Sequence, residues 1–203
     1  MRFAGTSDVA GRRGSDMRPF ATILALSFAA AAGPLEDGAA LYERGDYATA
    51  LQVVHPLADQ GVAGAQFILG TMYLGGLGVP QDDPEAAKWF RLAADQGDPQ
   101  APSILGFMYL NGRGVQQNDV EAARWLRVGA EHGVARAQSL LSEMYEVGHG
   151  VPQDYVLAHM WSNLSAAQGE RGAEFVRDNV EKRMTAEQIE EAQKLAREWK
   201  PTH

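Results

Sequence analysis

The sequence predicts an all-α protein, a right-handed α-solenoid of stacked helical hairpins that is closed by C-terminal capping helices. A self-similar period of 36 residues is the main observation. Such a period is typical of hairpins that bury their apolar faces only against their neighbours. Two further observations agree with it, since apolar residues recur at helical spacing and glycines recur at fixed places. The offset superposes Trp89, Trp125 and Trp161, Tyr73, Tyr109 and Tyr145, and Gly97, Gly133 and Gly169.

The first 32 residues differ from the rest and have the pattern of a secretory leader. Arg18 is followed by the apolar run 20–32, which ends in small residues. A basic start, a short apolar stretch and an Ala-x-Ala ending predict export, and the run is too short to span a bilayer. Met17 is the start that we expect, and the mature chain would begin near Gly33 with no membrane span. We therefore expect a periplasmic or secreted protein.

Residues 33–61 predict a first hairpin with a short turn. Asp46 comes only four positions after Tyr42, whereas Asp82 comes nine positions after Tyr73 in the next unit. This shorter hairpin resembles an ordinary tetratricopeptide unit.

Three full units follow, residues 62–97, 98–133 and 134–169, and each begins with a helix that we call helix A. Its apolar residues recur at i, i+3, i+4, i+7 and i+8, which indicates an amphipathic helix with one buried face. In the first unit these are Ala65, Ile68, Leu69, Met72 and Tyr73. Paired glycines end each helix A, because glycine readily adopts the left-handed backbone of a helix C-terminus. The pairs are Gly76 and Gly78, Gly112 and Gly114, and Gly148 and Gly150.

The second helix of each unit, helix B, begins after a short polar residue that can accept hydrogen bonds from the first turn. These residues are Asp46, Asp82, Asn118 and Asp154. Glu85 and Glu121, three residues later, predict capping boxes. We expect the buried face of the first helix B to carry Ala86, Trp89, Leu92 and Ala93.

Residues 170–203 predict a helical cap. A helix is expected over 173–184, and Thr185 with Gln188 predicts a capping box at the start of a last helix. That last helix is apolar along one side and charged elsewhere, which is the outer face that a solenoid needs at its end.

The repeated pattern resembles the Sel1-like repeat, a branch of the tetratricopeptide-type hairpins, over about residues 62–169. Departures are few, since Asn118 replaces Asp, Ser142 replaces Gly, and Gly129 and Ser165 replace the first alanine of an Ala-Ala pair. The resemblance implies scaffolding or regulation of envelope and secreted partners. The sequence contains no catalytic or phosphate-binding motif, so we expect no catalytic residues, cofactor or metal. In the first unit the pattern is seen as Ala65, Leu69, Gly70, Tyr73, Gly76, Gly78, Val79, Asp82, Ala86, Trp89, Ala93, Ala94 and Gly97.

The same resemblance implies that helix A lines the concave face, so the helix A positions outside the apolar stripe predict a partner-binding groove. The groove would be apolar at its start and acidic at its end, as suits an extended segment with a basic tail. The alternative is that its phenylalanines and leucines pack against adjacent units, which would move the surface to loop positions Leu77, Arg113 and His149. The three columns are Phe67, Ser103 and Ser139; Thr71, Phe107 and Glu143; and Leu74, Leu110 and Glu146.

Composition and motifs narrow the function classes. The chain has no cysteine, which excludes disulfides and thiolate metal sites. Its net charge of −8 argues against nucleic acid, because phosphate binding needs clustered Lys and Arg. Glu143, Glu146 and His149 are spaced to form an oxygen-rich metal site, but such a set is more often a solvated face. We expect the repeated tryptophans to pack in the core rather than to stack on a ligand.

Two other functions stay open at this stage. Some secreted Sel1-like proteins are linked to penicillin binding and β-lactam hydrolysis, but those are rich in cysteine, and this chain also lacks a Ser-x-x-Lys motif. The other alternative is an effector released towards a host. The identity of the partner and the oligomeric state are not determined by the sequence.

Overall fold

The computed structural model describes residues 33–202, and within that range all regular structure is helical. The expected leader with its cleavage position, and His203, lie outside the described residues. The ten described helices are α1 Pro34–Glu43, α2 Tyr47–Asp59, α3 Ala63–Gly75, α4 Asp83–Asp95, α5 Ala101–Asn111, α6 Asp119–Glu131, α7 Ala135–Val147, α8 Tyr155–Ala167, α9 Ala173–Glu181 and α10 Ala186–Glu198.

The helices form a stack of hairpins, in which each helix from α1 to α8 packs against the next one along the chain. Helix A of the three full units corresponds to α3, α5 and α7, and helix B to α4, α6 and α8. Two apolar clusters run through the stack, one centred on α3 to α5 and the other on α6 to α8. The predicted all-α solenoid is confirmed.

The predicted helix starts are confirmed, because all four Asx side chains accept a backbone N–H from the first turn of their helix. The capping boxes at Glu85 and Glu121 are not formed. Glu85 instead accepts from Lys88 Nζ at 2.6 Å, and Glu121 accepts from Arg124 at 2.9 Å. A lysine or arginine three residues later in the sequence therefore binds each carboxylate in place of the backbone N–H that a capping box would use. The box at Thr185 is present.

The two glycines of each loop have different tasks. The first, as at Gly112 with φ 61°, is the left-handed end of helix A. The second is packed against the hairpin before it. A Cβ on Gly114 would lie 2.2 Å from the carbonyl oxygen of Asp83, and one on Gly150 would lie 2.1 Å from that of Asp119. These loops therefore fix the distance between successive hairpins.

The prediction that the repeated tryptophans pack in the core is confirmed for Trp125 and Trp161, which are both only 6% exposed, while Trp89 is half-buried.

The buried face predicted for α4 is wrong at one position. Leu92 is 45% exposed, and Phe90 is buried in its place. The ring of Phe90 lies where α3 has Gly70, whose missing side chain leaves room for it.

Polar contacts repeat between hairpins with the same period. The Arg91 guanidinium donates to the hydroxyl of Tyr109, and Arg127 donates to the hydroxyl of Tyr145 at 2.6 Å. Helix B of one unit is thereby joined to helix A of the next.

The cap is built as predicted from two helices, but α9 ends at Glu181 and α10 packs against α8. The chain after α10 then returns along the stack. The Trp199 ring meets Trp161 edge-on with 6.0 Å between centroids, and Thr202 donates to the carbonyl of Glu131 at 2.8 Å. Phe175 of α9 is left 75% exposed.

Candidate partner-binding surface

The first unit does not offer the groove that the sequence predicts. Phe67, Thr71 and Leu74 are all buried. The Phe67 ring packs edge-on against Phe90, with 5.7 Å between centroids, because α4 lies directly over this side of α3. Thr71 uses its hydroxyl to donate to the Phe67 carbonyl at 2.9 Å. The interpretation that Phe67 and Leu74 lie outside the core is therefore wrong.

The serines of the same columns are buried as well. Ser103 lies against α6, where a Cβ on Gly129 would be 3.2 Å from the Ser103 nitrogen, and Ser139 is 1% exposed. Helix B approaches helix A closely at this level, which leaves Ser103 and Ser139 without surface to present. The prediction that Ser103 and Ser139 face an open groove is therefore wrong, because helix B covers this side of helix A, as it does at Phe67.

The remaining predicted residues lie at the junction of the second and third units. Phe107 and Leu110 are half-buried against the second apolar cluster, Glu143 is exposed, and Glu146 is partly exposed. Their contact with a partner stays a prediction. Three of them, Leu110, Glu143 and Glu146, border an open hollow.

This hollow, between the C-terminal halves of α5 and α7, has a volume of about 280 Å³. By the period of 36 residues, Leu140 and Met144 correspond to Ile68 and Met72 of the buried stripe, whereas Val147 falls outside the stripe. Val147 is 55% exposed, and the matching positions in the first two units are Gly75 and Asn111. The sequence signal for this surface was a large apolar residue that occurs in that column only in the third unit. The hollow is lined by Leu110, Leu140, Glu143, Met144, Glu146, Val147 and His149.

The two glutamates of the hollow have different surroundings. Glu146 accepts from Asn179 Nδ2 at 2.8 Å and has Arg183 Nη1 at 3.9 Å, so α9 and the turn after it hold Glu146 in place. Glu143 has no such bond. The pKa of Glu143 is raised, chiefly because the surrounding chain desolvates the carboxylate although water still reaches it, with Arg136 opposing that effect.

The alternative loop surface is largely occupied. Arg113 forms two hydrogen bonds with the carboxylate of Asp83, at 2.8 and 3.0 Å, and a third with the Leu74 carbonyl at 3.0 Å. The hydrogen bonds from Arg113 to the carboxylate hold the pKa of Asp83 below its ordinary value. Leu77 packs on the first apolar cluster. Of the three loop positions, His149 is exposed, and it lines the hollow.

Residues 33–202 hold no group of three side chains that is arranged to bind a metal ion, so Glu143, Glu146 and His149 do not form the metal site considered above. Over the same range no helix has the length and apolar character needed to cross a bilayer.

Comparison with known proteins identifies the repeat. A family model of the Sel1 repeat matches residues 63–98, 103–134 and 135–170, which together make up half of the chain. The chain belongs to the Sel1 repeat family. Sel1 repeat proteins are generally non-catalytic scaffolds, and the family supports a role in protein interaction.

Solved structures of other Sel1 proteins agree with the fold. A Sel1 repeat protein from Oxalobacter formigenes is 40% identical over 64% of this chain and 97% of its own, with a TM-score of 0.59. A protective antigen of uropathogenic Escherichia coli, c5321, displays an SLR fold and is 27% identical over 90% of this chain, with a TM-score of 0.56. This chain spans 44% of the length of that second protein. Among curated protein sequences no match was found.

Proposed function

We propose that this Sel1 repeat protein is an exported, non-catalytic adaptor that binds a protein or peptide partner in the hollow between α5 and α7. The observation that carries the proposal is the hollow itself. Five residues of the predicted columns are buried by packing, namely Phe67, Thr71, Leu74, Ser103 and Ser139. By contrast, Leu110, Leu140 and Val147 border a space open to solvent. Apolar side chains at a concave, polar-edged surface are typical of sites that bind peptides.

A pull-down from envelope extract followed by titration of the purified partner tests the binding site. We expect Val147→Ser and Leu110→Ala to weaken the affinity about tenfold or more, because each removes apolar contact at the centre of the surface. Val120→Ser is the matched control, since Val120 is also exposed, at 64%, but lies on α6 away from the hollow. Unchanged affinity in the two hollow variants, with native melting curves, would exclude this surface.

Export rests on the leader pattern of residues 17–32. We expect N-terminal sequencing of the protein recovered from the cell envelope or the medium to begin at Gly33 or a near neighbour. A cytoplasmic chain that retains residues 17–32 would contradict export and leave the binding surface unaffected.

A further inference from the structure

The charges around the hollow do not balance. The Glu143 carboxylate is close enough to Glu146, Glu170 and Arg136 for the charges of all three to affect its pKa. Arg136 is paired with Glu170, with 3.3 Å between Nη1 and Oε1, and Arg183 is the cation next to Glu146. Each of these guanidinium groups is therefore already engaged by another carboxylate.

Glu143 is the one of these three carboxylates that neither guanidinium group pairs with. It forms no hydrogen bond and no ion pair with any residue between 33 and 202, and it lines the hollow. Desolvation and the nearby charges of Glu146 and Glu170 disfavour its ionised form. Glu146 and His149 are the other titratable groups that line the hollow. A ligand that supplied one positive charge at this point would remove the imbalance.

An apolar segment would fit the walls but would desolvate Glu143 further without compensating its charge. An acidic segment would add repulsion from Glu146 and Glu170. A lysine or arginine side chain matches both features, because its aliphatic stem covers apolar surface while its cationic end reaches a carboxylate.

We propose that the hollow binds a lysine or arginine side chain of an extended partner segment, with the stem against Leu110, Leu140 and Val147 and the cation paired with Glu143. This inference rests on the proposed function, since it names the chemistry that the adaptor recognises. The flanking residues of the segment are apolar, because four of the seven residues that line the hollow are apolar, namely Leu110, Leu140, Met144 and Val147.

The test uses fluorescein-labelled decapeptides of Gly and Ser that carry a central Leu-Lys-Leu, Leu-Arg-Leu, Leu-norleucine-Leu or Leu-Glu-Leu. The Lys and Arg peptides should bind the full-length protein, and the norleucine and Glu peptides should bind at least about tenfold more weakly. Glu143→Gln should remove this preference, leaving Lys and norleucine peptides equal. Glu191→Gln, an exposed change on α10, is the control and should bind like the wild type.

The melting temperature of Glu143→Gln distinguishes a binding role of Glu143 from a structural one. Its folded-state pKa is raised, so the ionised carboxylate opposes folding at neutral pH, and that cost is relieved as pH falls through the raised pKa. Glu143→Gln should therefore melt no lower than the wild type while losing the Lys preference. A lower melting temperature together with unchanged peptide binding would make Glu143 a packing residue and overturn the proposal.

The remaining outcomes separate this inference from the adaptor function. Equal binding of the Lys and norleucine peptides, or no binding of any peptide, overturns the cation proposal, while a loss of partner affinity in Val147→Ser still supports the hollow. A wild-type dimer in sedimentation that Glu143→Gln turns into a monomer would assign the hollow to a second copy of the chain and would also overturn it.

Discussion

Trp125→Ala is expected to lower the free energy of unfolding by about 3 to 5 kcal/mol, because it removes a large ring from the centre of the stack. The ring is buried in the first apolar cluster, and its indole Nε1 has no hydrogen-bond partner among residues 33–202, so the loss is one of packing. The Arg124 guanidinium lies over it, 4.4 Å from the centroid.

Trp199→Ala is the matched comparison, since Trp199 is half-buried at the end of the cap and should cost less. Urea denaturation of both variants, monitored by circular dichroism, gives the order. Equal and small losses would show that the tryptophan column is not part of the core and would revive a role in stacking on a ligand.

Gly114→Ala should be similarly damaging, at about 2 to 5 kcal/mol, because two costs add. Gly114 has φ +69°, which is strained for a residue with a Cβ by about 1 to 2 kcal/mol. The new methyl group would also lie 2.2 Å from the Asp83 carbonyl oxygen, so the second hairpin must shift away from the first, and such overpacking costs about 1 to 3 kcal/mol.

Gly97→Ala separates these two costs. Gly97 has φ +86°, but no atom lies within 4 Å of the place that a methyl group would take, so only the backbone strain of about 1 to 2 kcal/mol is expected. Differential scanning calorimetry of both variants measures the difference. If Gly114→Ala and Gly97→Ala lose the same stability, the loop does not set the spacing between hairpins.

The sequence predicted those parts of the fold that depend on neighbours along the chain. Helix ends are local features, so the glycine at Gly112 and the side-chain acceptor at Asp82 identify them without tertiary information. The period of 36 residues then transfers each assignment from one unit to the next. This is why the register of the hairpins follows from the sequence alone.

The sequence could not show which side of a helix the next element covers. Phe67 falls outside the apolar stripe of α3, yet α4 brings Phe90 against it. Leu92 satisfies the helical spacing but faces water, because the buried arc of α4 is set by α3 and α5 together. The Glu85 carboxylate can pair either with Lys88 or with the backbone N–H at the start of its helix. The two contacts are local and similar in strength, and the contact with Lys88 is the one that forms.

The sequence predicts a groove along helix A of all three units, whereas the open hollow lies only where the second unit meets the third. The sequence shows residue types in each column, whereas an open hollow depends on what is left uncovered where α5, α7 and the loop of His149 meet. Glu143 and Glu146 look equivalent in sequence. Asn179 and Arg183 distinguish them by engaging Glu146 from the side of α9.

Hydrogen–deuterium exchange with and without the purified partner tests most directly whether the adaptor binds through the hollow. Binding in the hollow predicts slower exchange in the C-terminal halves of α5 and α7 and in the loop after α7, with α4 and α6 unchanged. Protection confined to α4 and α6, with none in α5 or α7, would contradict it.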